Sequence, residues 1–304
     1  MSDPAPLFDT ALARRRLARA RGAGYAGFLM ARLVEDVEDR LAAVTRSFPL
    51  ALDLGTPVGD LGHRLRATGR VDRLVRLGPL PGADADLVGD PEALPFGPGA
   101  GFDLAVSALA LQHVNDLPGV LVQVRRALKP DGLFLGCLLG GATLTELRQA
   151  FLQAESETEG GVSPRVAPFA ELRDLGGLMQ RAGFALPVVD ADTIRVRYAD
   201  PFALMRDLRA MGLTNVLHDR RRTPLRRATL LRAAALYAER FSDPDGRLRA
   251  TFEVLWLSGW APHESQQKPL RPGSAKTRLA DALGTAEHRL TPDTEEAPDT
   301  GGTP

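Results

Sequence analysis

Ala51-Leu-Asp-Leu-Gly-Thr-Pro-Val-Gly59 is the stretch on which the fold turns. Residues 49–54 form a short apolar run suited to a buried strand, and Gly55 and Gly59 follow directly. A glycine-bearing turn between a strand and a helix lets backbone N–H groups approach a nucleotide-like ligand. The spacing is neither the dinucleotide G-x-G-x-x-G nor a P-loop, since no Gly-Lys-Ser/Thr follows. Further short apolar runs lie at 73–77, 86–88, 102–108 and 133–139. Between the last two, an amphipathic helix is expected over 117–128, stopped by Lys129-Pro130-Asp131-Gly132. Strands alternating with helices predict an α/β domain with a mainly parallel sheet.

The flanks read differently. Residues 1–48 form an N-terminal helical segment, with Leu12, Leu17, Phe28, Leu29, Leu33, Val37, Leu41 and Val44 spaced among charges. Beyond the sheet, helices are expected over 143–159, 169–181, 201–211 and 224–241. The last has Thr223 as N-cap and Pro224 at its first position. Alternation over 193–198 predicts a half-exposed strand, and 252–258 a final one. The main domain is therefore drawn at 49–284, with lid insertions at about 143–183 and 200–245. Residues 285–304, acidic and rich in Pro, Gly and Thr, are expected to be a disordered tail.

Three pieces carry a resemblance. The turn at 51–59 resembles the D-x-G-x-G-x-G turn of class I S-adenosylmethionine (SAM) methyltransferases. Asp90-Pro-Glu-Ala-Leu-Pro-Phe96 followed by Phe102-Asp-Leu-Ala-Val-Ser107 resembles the same superfamily's acidic turn and fourth strand. Leu128-Lys-Pro-Asp-Gly-Leu-Phe134 resembles the turn before its fifth strand. The resemblance implies a Rossmann-like methyltransferase fold, with helical insertions forming a lid. It implies SAM held by Asp53, Gly55, Gly59 and Asp90, the last facing the adenine. Motifs further on narrow the likeness: 140–148, 154–165, Arg181-Ala-Gly-Phe184, Gly259-Trp260, His263 and Ser265-Gln266. Over about 48–283 the chain resembles the mitochondrial complex I assembly factor 5 family and its bacterial relatives, themselves similar to malonyl-carrier-protein methyltransferases. That likeness implies a protein substrate, a complex I subunit, and hydroxylation of one of its arginines.

Two departures affect the cofactor. Pro57 stands at the middle glycine, removing an N–H donor and adding bulk. The stretch Arg73-Leu-Val-Arg-Leu-Gly-Pro-Leu80 has no acid to accept from the ribose hydroxyls, a loss of roughly 1–3 kcal/mol judged by unmade buried hydrogen bonds. Together they predict weak SAM binding or none. The alternative to an enzyme is thus an assembly chaperone with a degraded cofactor site, and a malonyl-carrier-protein methyltransferase is the further one.

Composition bounds the rest. The 38 basic residues balance 38 acidic ones, so the global positive footprint of a nucleic-acid binder is missing. No apolar run is long enough to span a bilayer. The N-terminal stretch has no apolar h-region, and Cys137 has no second cysteine to pair with, so a cytoplasmic location is expected. The balance is a sum of opposed regions: 206–249 hold 11 Arg against five acids, and 151–200 hold five Arg against eight acids. His113, just after the fourth strand, is the candidate general base. Glu155, Glu157, Arg165, Tyr198, Trp260 and His263 are the candidates for substrate contact. The five histidines have no metal-ligand spacing, and no metal site is expected.

Overall fold

The apolar run before the glycine turn is the central strand of a sheet. The computed structural model describes residues 5–82 and 84–267, with Asp281, Gly284 and Thr285 beyond them. The chain divides into a main unit, Met1–Glu264, and a C-terminal one, Ser265–Pro304. In the main unit, β1 (Phe48–Leu54) lies between β2 (Val71–Gly78) and β4 (Phe102–Ala108). The short β3 (Leu87–Val88) flanks β2, while β5 (Leu128–Leu139), β7 (Leu248–Trp260) and β6 (Ala185–Tyr198) complete the order β3-β2-β1-β4-β5-β7-β6. Only β7 runs against its neighbours. This is the class I methyltransferase fold that the motifs imply.

Alternate residues of each inner strand face opposite ways. Ala51, Leu104 and Val106 join one apolar core with α2 (Phe28–Ala42), α3 (Asp60–Ala67), α5 (Thr145–Thr158), α7 (Pro201–Ala210) and α8 (Arg227–Phe241). Leu52, Ala105 and Phe134 join a second with α4 (Leu117–Ala127) and α6 (Leu172–Arg181). The first helix, α1 (Thr10–Gly22), starts where the Asp9 carboxylate accepts the Leu12 N–H at 2.9 Å. It packs on α7, whose end at Gly212 (φ +72°) leaves a Cβ only 3.1 Å from the Leu17 backbone.

Several expectations are corrected. Strands β6 and β7 are longer than 193–198 and 252–258, because they pair with each other along their length. Helix α8 begins at Arg227 without a side-chain cap, so Thr223 and Pro224 do not open it. Its first turn is instead anchored by the buried Thr229, whose hydroxyl donates to Glu159 at 2.6 Å. Helix α6 starts at Leu172 rather than 169, since Ala170 bridges to Gly140. Leu175 and Met179 of α6 are wholly buried in the second core, so this part of the first expected insertion is core and not lid. Phe28, expected among the packed apolar positions, is 41% exposed. Apart from Thr285, the expected tail lies outside the described residues. No helix of the described residues is long and apolar enough to cross a membrane.

Candidate functional site

The turn after β1 has the shape its glycines predict. Gly55 has φ +72°, and a Cβ there would meet Ala110 at 3.1 Å and Pro91 at 3.3 Å, so a larger residue is excluded twice over. Gly59 precedes α3, and a Cβ on it would lie 3.1 Å from the Asp84 side chain. Two leucines at the same edge of the sheet, Leu109 after β4 and Leu144 before α5, are held in the left-handed region at φ 51° and 55°. Such strain costs about 1–3 kcal/mol and persists where the surroundings impose it, often near functional sites.

An arginine fills the space behind the turn. Arg76 of β2 is 3% exposed, a charge inside an apolar strand, and it must be paired to be tolerated. Its Nε donates to Asp53 at 3.1 Å, one Nη to the Asp84 carboxylate at 2.6 Å, and the other to the Thr56 carbonyl at 2.6 Å. Arg21, at the end of α1, donates to the second Asp84 oxygen at 2.6 Å. Asp53 is wholly buried, and burial, opposed by Thr56 and Arg76, pushes its carboxyl up to about 6. Behind the turn runs a linear chain of ion pairs, Asp53–Arg76–Asp84–Arg21.

In front of the turn lies a cavity of about 110 Å³, lined by Gly55, Pro57, Asp90, Pro91, His113 and, from α1, Arg14. Ligand pockets for molecules of cofactor size are about 300–1,000 Å³. Asp90 is already engaged, pairing with Arg14 at 2.9 Å. The N-terminal segment is also strapped down: Phe8 exchanges hydrogen bonds with Asn115, and the Asp9 N–H donates to the Val216 carbonyl at 2.8 Å. Pro57 lacks a donor, and the cavity is small.

His113 sits on a wall shared by this cavity and a larger groove of about 580 Å³. Its ring lies 5.3 Å from that of Phe8 and 6.3 Å from that of Phe169. Desolvation lowers it to about 4, so the imidazole is neutral near pH 7 and a weak base. No His/Cys/Asp/Glu cluster able to hold a metal occurs among the described residues.

The structure disperses most of the other candidates. Glu155 is wholly buried, accepting from the Ser163 N–H at 2.7 Å and from Arg165 Nε at 2.7 Å. Glu157 pairs with Arg232, whose hydrogen bond, with that of Gln153, takes its carboxyl down to about 2. Glu155 is therefore not free to receive a substrate arginine, which corrects that expectation, while Glu157 stays exposed in a surface pair. Arg165 does line the groove, but with its charge already met. Tyr198 is a core residue at the end of β6, its hydroxyl held protonated by burial and by Asp207. Trp260, the last residue of the antiparallel β7, pairs in register with Leu133, six residues before the end of β5. It therefore lies at the sheet edge opposite the glycine turn, stacked under Arg46 at 5.1 Å, and His263 follows it, exposed. Of the residues expected at one site, the structure brings together Gly55, Asp90 and His113.

Arg76, Asp84 and Arg14 were not foreseen. The only signal for Arg76 was its charge in the middle of Leu74-Val75-Arg76-Leu77, and nothing in the helical pattern of α1 indicated that it covers the turn.

The family described as Methyltransferase domain matches residues 70–136. The arginine-hydroxylase NDUFAF5, mitochondrial, of Danio rerio is 42% identical over 255 residues, covering 81% of this chain and 78% of that protein. Its Homo sapiens counterpart is 40% identical over 265 residues, covering 84% and 76%. The malonyl-[acyl-carrier protein] O-methyltransferase of Laribacter hongkongensis is 35% identical over 260 residues, covering 85% and 80%.

Proposed function

The chain belongs to the NDUFAF5 arginine-hydroxylase family, and from that premise we propose that it modifies an arginine of a protein substrate during assembly of respiratory complex I. The observation that best supports the reading is His113, on the wall between the cavity at the glycine turn and the larger groove. A side chain there borders both the small cavity and the groove, the juxtaposition that modifying a protein requires. Kept neutral by burial, its imidazole can accept a hydrogen bond from a guanidinium without repelling its charge. The test is mass spectrometry of complex I from a strain lacking the protein. One arginine should be lighter by the mass of an oxygen atom and regain it on complementation. An unchanged set of arginines refutes the reading.

A second reading has its own support. The small cavity, and the ion pairs that occupy Asp53 and Asp90, favour an assembly chaperone that kept its partner surface and lost its cofactor. Calorimetric titration of the full chain with SAM, with Pro57→Gly alongside, separates the two. A micromolar dissociation constant for the unaltered protein sinks the chaperone reading, and silence in it supports that reading. The likeness to malonyl-carrier-protein methyltransferases is tested by transfer of a labelled methyl group from SAM to malonyl carrier protein.

A further inference from the structure

The larger groove has a lining of unusual composition. It opens beside His113 among α1, α5, α7 and the segment 165–169. Leu144, Leu147, Phe151, Met205 and Leu208 make its wall apolar. Its charged lining is Arg16, Arg19, Arg165 and Arg209, with no Asp or Glu among them. Glu155 satisfies Arg165 from behind the wall. The other three have no carboxylate partner among the described residues. Arg16 donates only to the carbonyl of Asn215, and Arg19 and Arg209 are exposed.

Arg16 and Arg19 are three residues apart on α1, so they share a face, and Arg209 stands across the groove on α7. Burial, then the like charges of Arg220 and Arg19, disfavour the charged form of Arg16. Asp9 offsets this in part, but its own carboxylate is held by Arg220 at 3.3 Å. Cations crowded over an apolar wall raise the local positive potential and attract anions. Guanidinium groups meet carboxylates in paired, charge-assisted hydrogen bonds.

A volume of about 580 Å³ suits a ligand larger than one small anion. A purely apolar ligand would leave three guanidiniums unanswered, and a purely ionic one would leave the wall wet. We propose that this groove binds an acidic, apolar-anchored peptide segment of the protein substrate, with side chains against Leu147, Phe151 and Met205 and carboxylates on Arg16, Arg19 and Arg209. The proposal rests on the reading that the substrate is a protein. Glu155 is engaged internally, and the charged lining of the groove is positive.

The test is fluorescence anisotropy of the full chain with a short fluorescein-labelled peptide of alternating Glu and Leu, and with its Gln/Leu analogue. The acidic peptide should bind at least about tenfold more tightly, the equivalent of one charge-assisted pair. The double variant Arg19→Glu/Arg209→Glu, both surface positions, should lose that preference, while Arg195→Glu, exposed on β6, should keep it within about twofold. Equal binding of the two peptides, no binding of either, or an unaltered preference in the double variant overturns the proposal. So does binding to phosphatidylglycerol vesicles that the acidic peptide fails to displace. The isotherm requires no chemistry, so it can fail while the complex I arginine is modified, or hold while that arginine is not.

Discussion

Replacing Asp53 by Asn tests whether the carboxyl behind the glycine turn is an ion-pair anchor or a burden. Asp53 is wholly buried, and its pKa is raised from the ordinary 3.8 to about 6, with burial the leading cause. Between those two values the folded protein holds a proton that the unfolded chain has released. Stability from this group therefore falls as pH rises through that window, and is greatest below it. A shift of two units at 1.36 kcal/mol each amounts to about 3 kcal/mol. Asn has the same shape and cannot titrate, and Arg76 keeps Asp84 and the Thr56 carbonyl in either case. Urea unfolding of both proteins, stepped from about pH 4 to about pH 7, isolates the term because all other titrating groups are shared. The unaltered protein should lose about 3 kcal/mol relative to Asp53→Asn over that range. Parallel curves would show that the carboxyl is not perturbed. A variant that weakens relative to the parent as pH rises would show Asp53 ionised and stabilised by Arg76, and the reasoning would be wrong in sign.

Three further outcomes are expected. Arg14→Glu sets two carboxylates against each other at Asp90 and should expose the α1 amides to hydrogen exchange by at least about tenfold, consistent with like-charge repulsion replacing an ion pair. Gly212→Ala forces a side chain into a left-handed backbone 3.1 Å from Leu17, and should lower stability by about 1–3 kcal/mol in denaturant melts. Glu155→Ala leaves Arg165 and the Ser163 N–H without their shared acceptor, and should cost about 2–4 kcal/mol by the same measurement, somewhat below a fully buried pair because Arg165 is partly exposed.

How much of this was legible depends on the physics of each element. The glycine turn and β4 could be read because apolar runs and turn residues are local signals, whereas Lys129–Gly132, read as a turn, lies within β5. The strand order followed from the motifs' succession along the chain. Trp260 was misread for a topological reason: β7 runs backward, and a residue late in the strand lies at the far edge. Glu155 and Glu157 looked available to a substrate because spacing along α5 says nothing about Ser163, Arg165 and Arg232, which reach them from elsewhere. Arg76 belongs to the same class. A lone charge in a strand announces that a partner exists, but the partners at 53, 56 and 84 are set by tertiary packing.

Helix α1 carries Arg14 toward the cavity, Arg16 and Arg19 toward the groove, and Arg21 toward Asp84. One helix thus carries charges to two compartments. A ligand that pulled on the groove side would work against, or with, the pair that pins the cavity side. If α1 moves as a unit, the two compartments share one free-energy term, and each must alter the other's affinity by the same factor. An enzyme built this way would respond to its protein partner before any chemistry began. A chaperone built this way would have turned the same helix into its clasp.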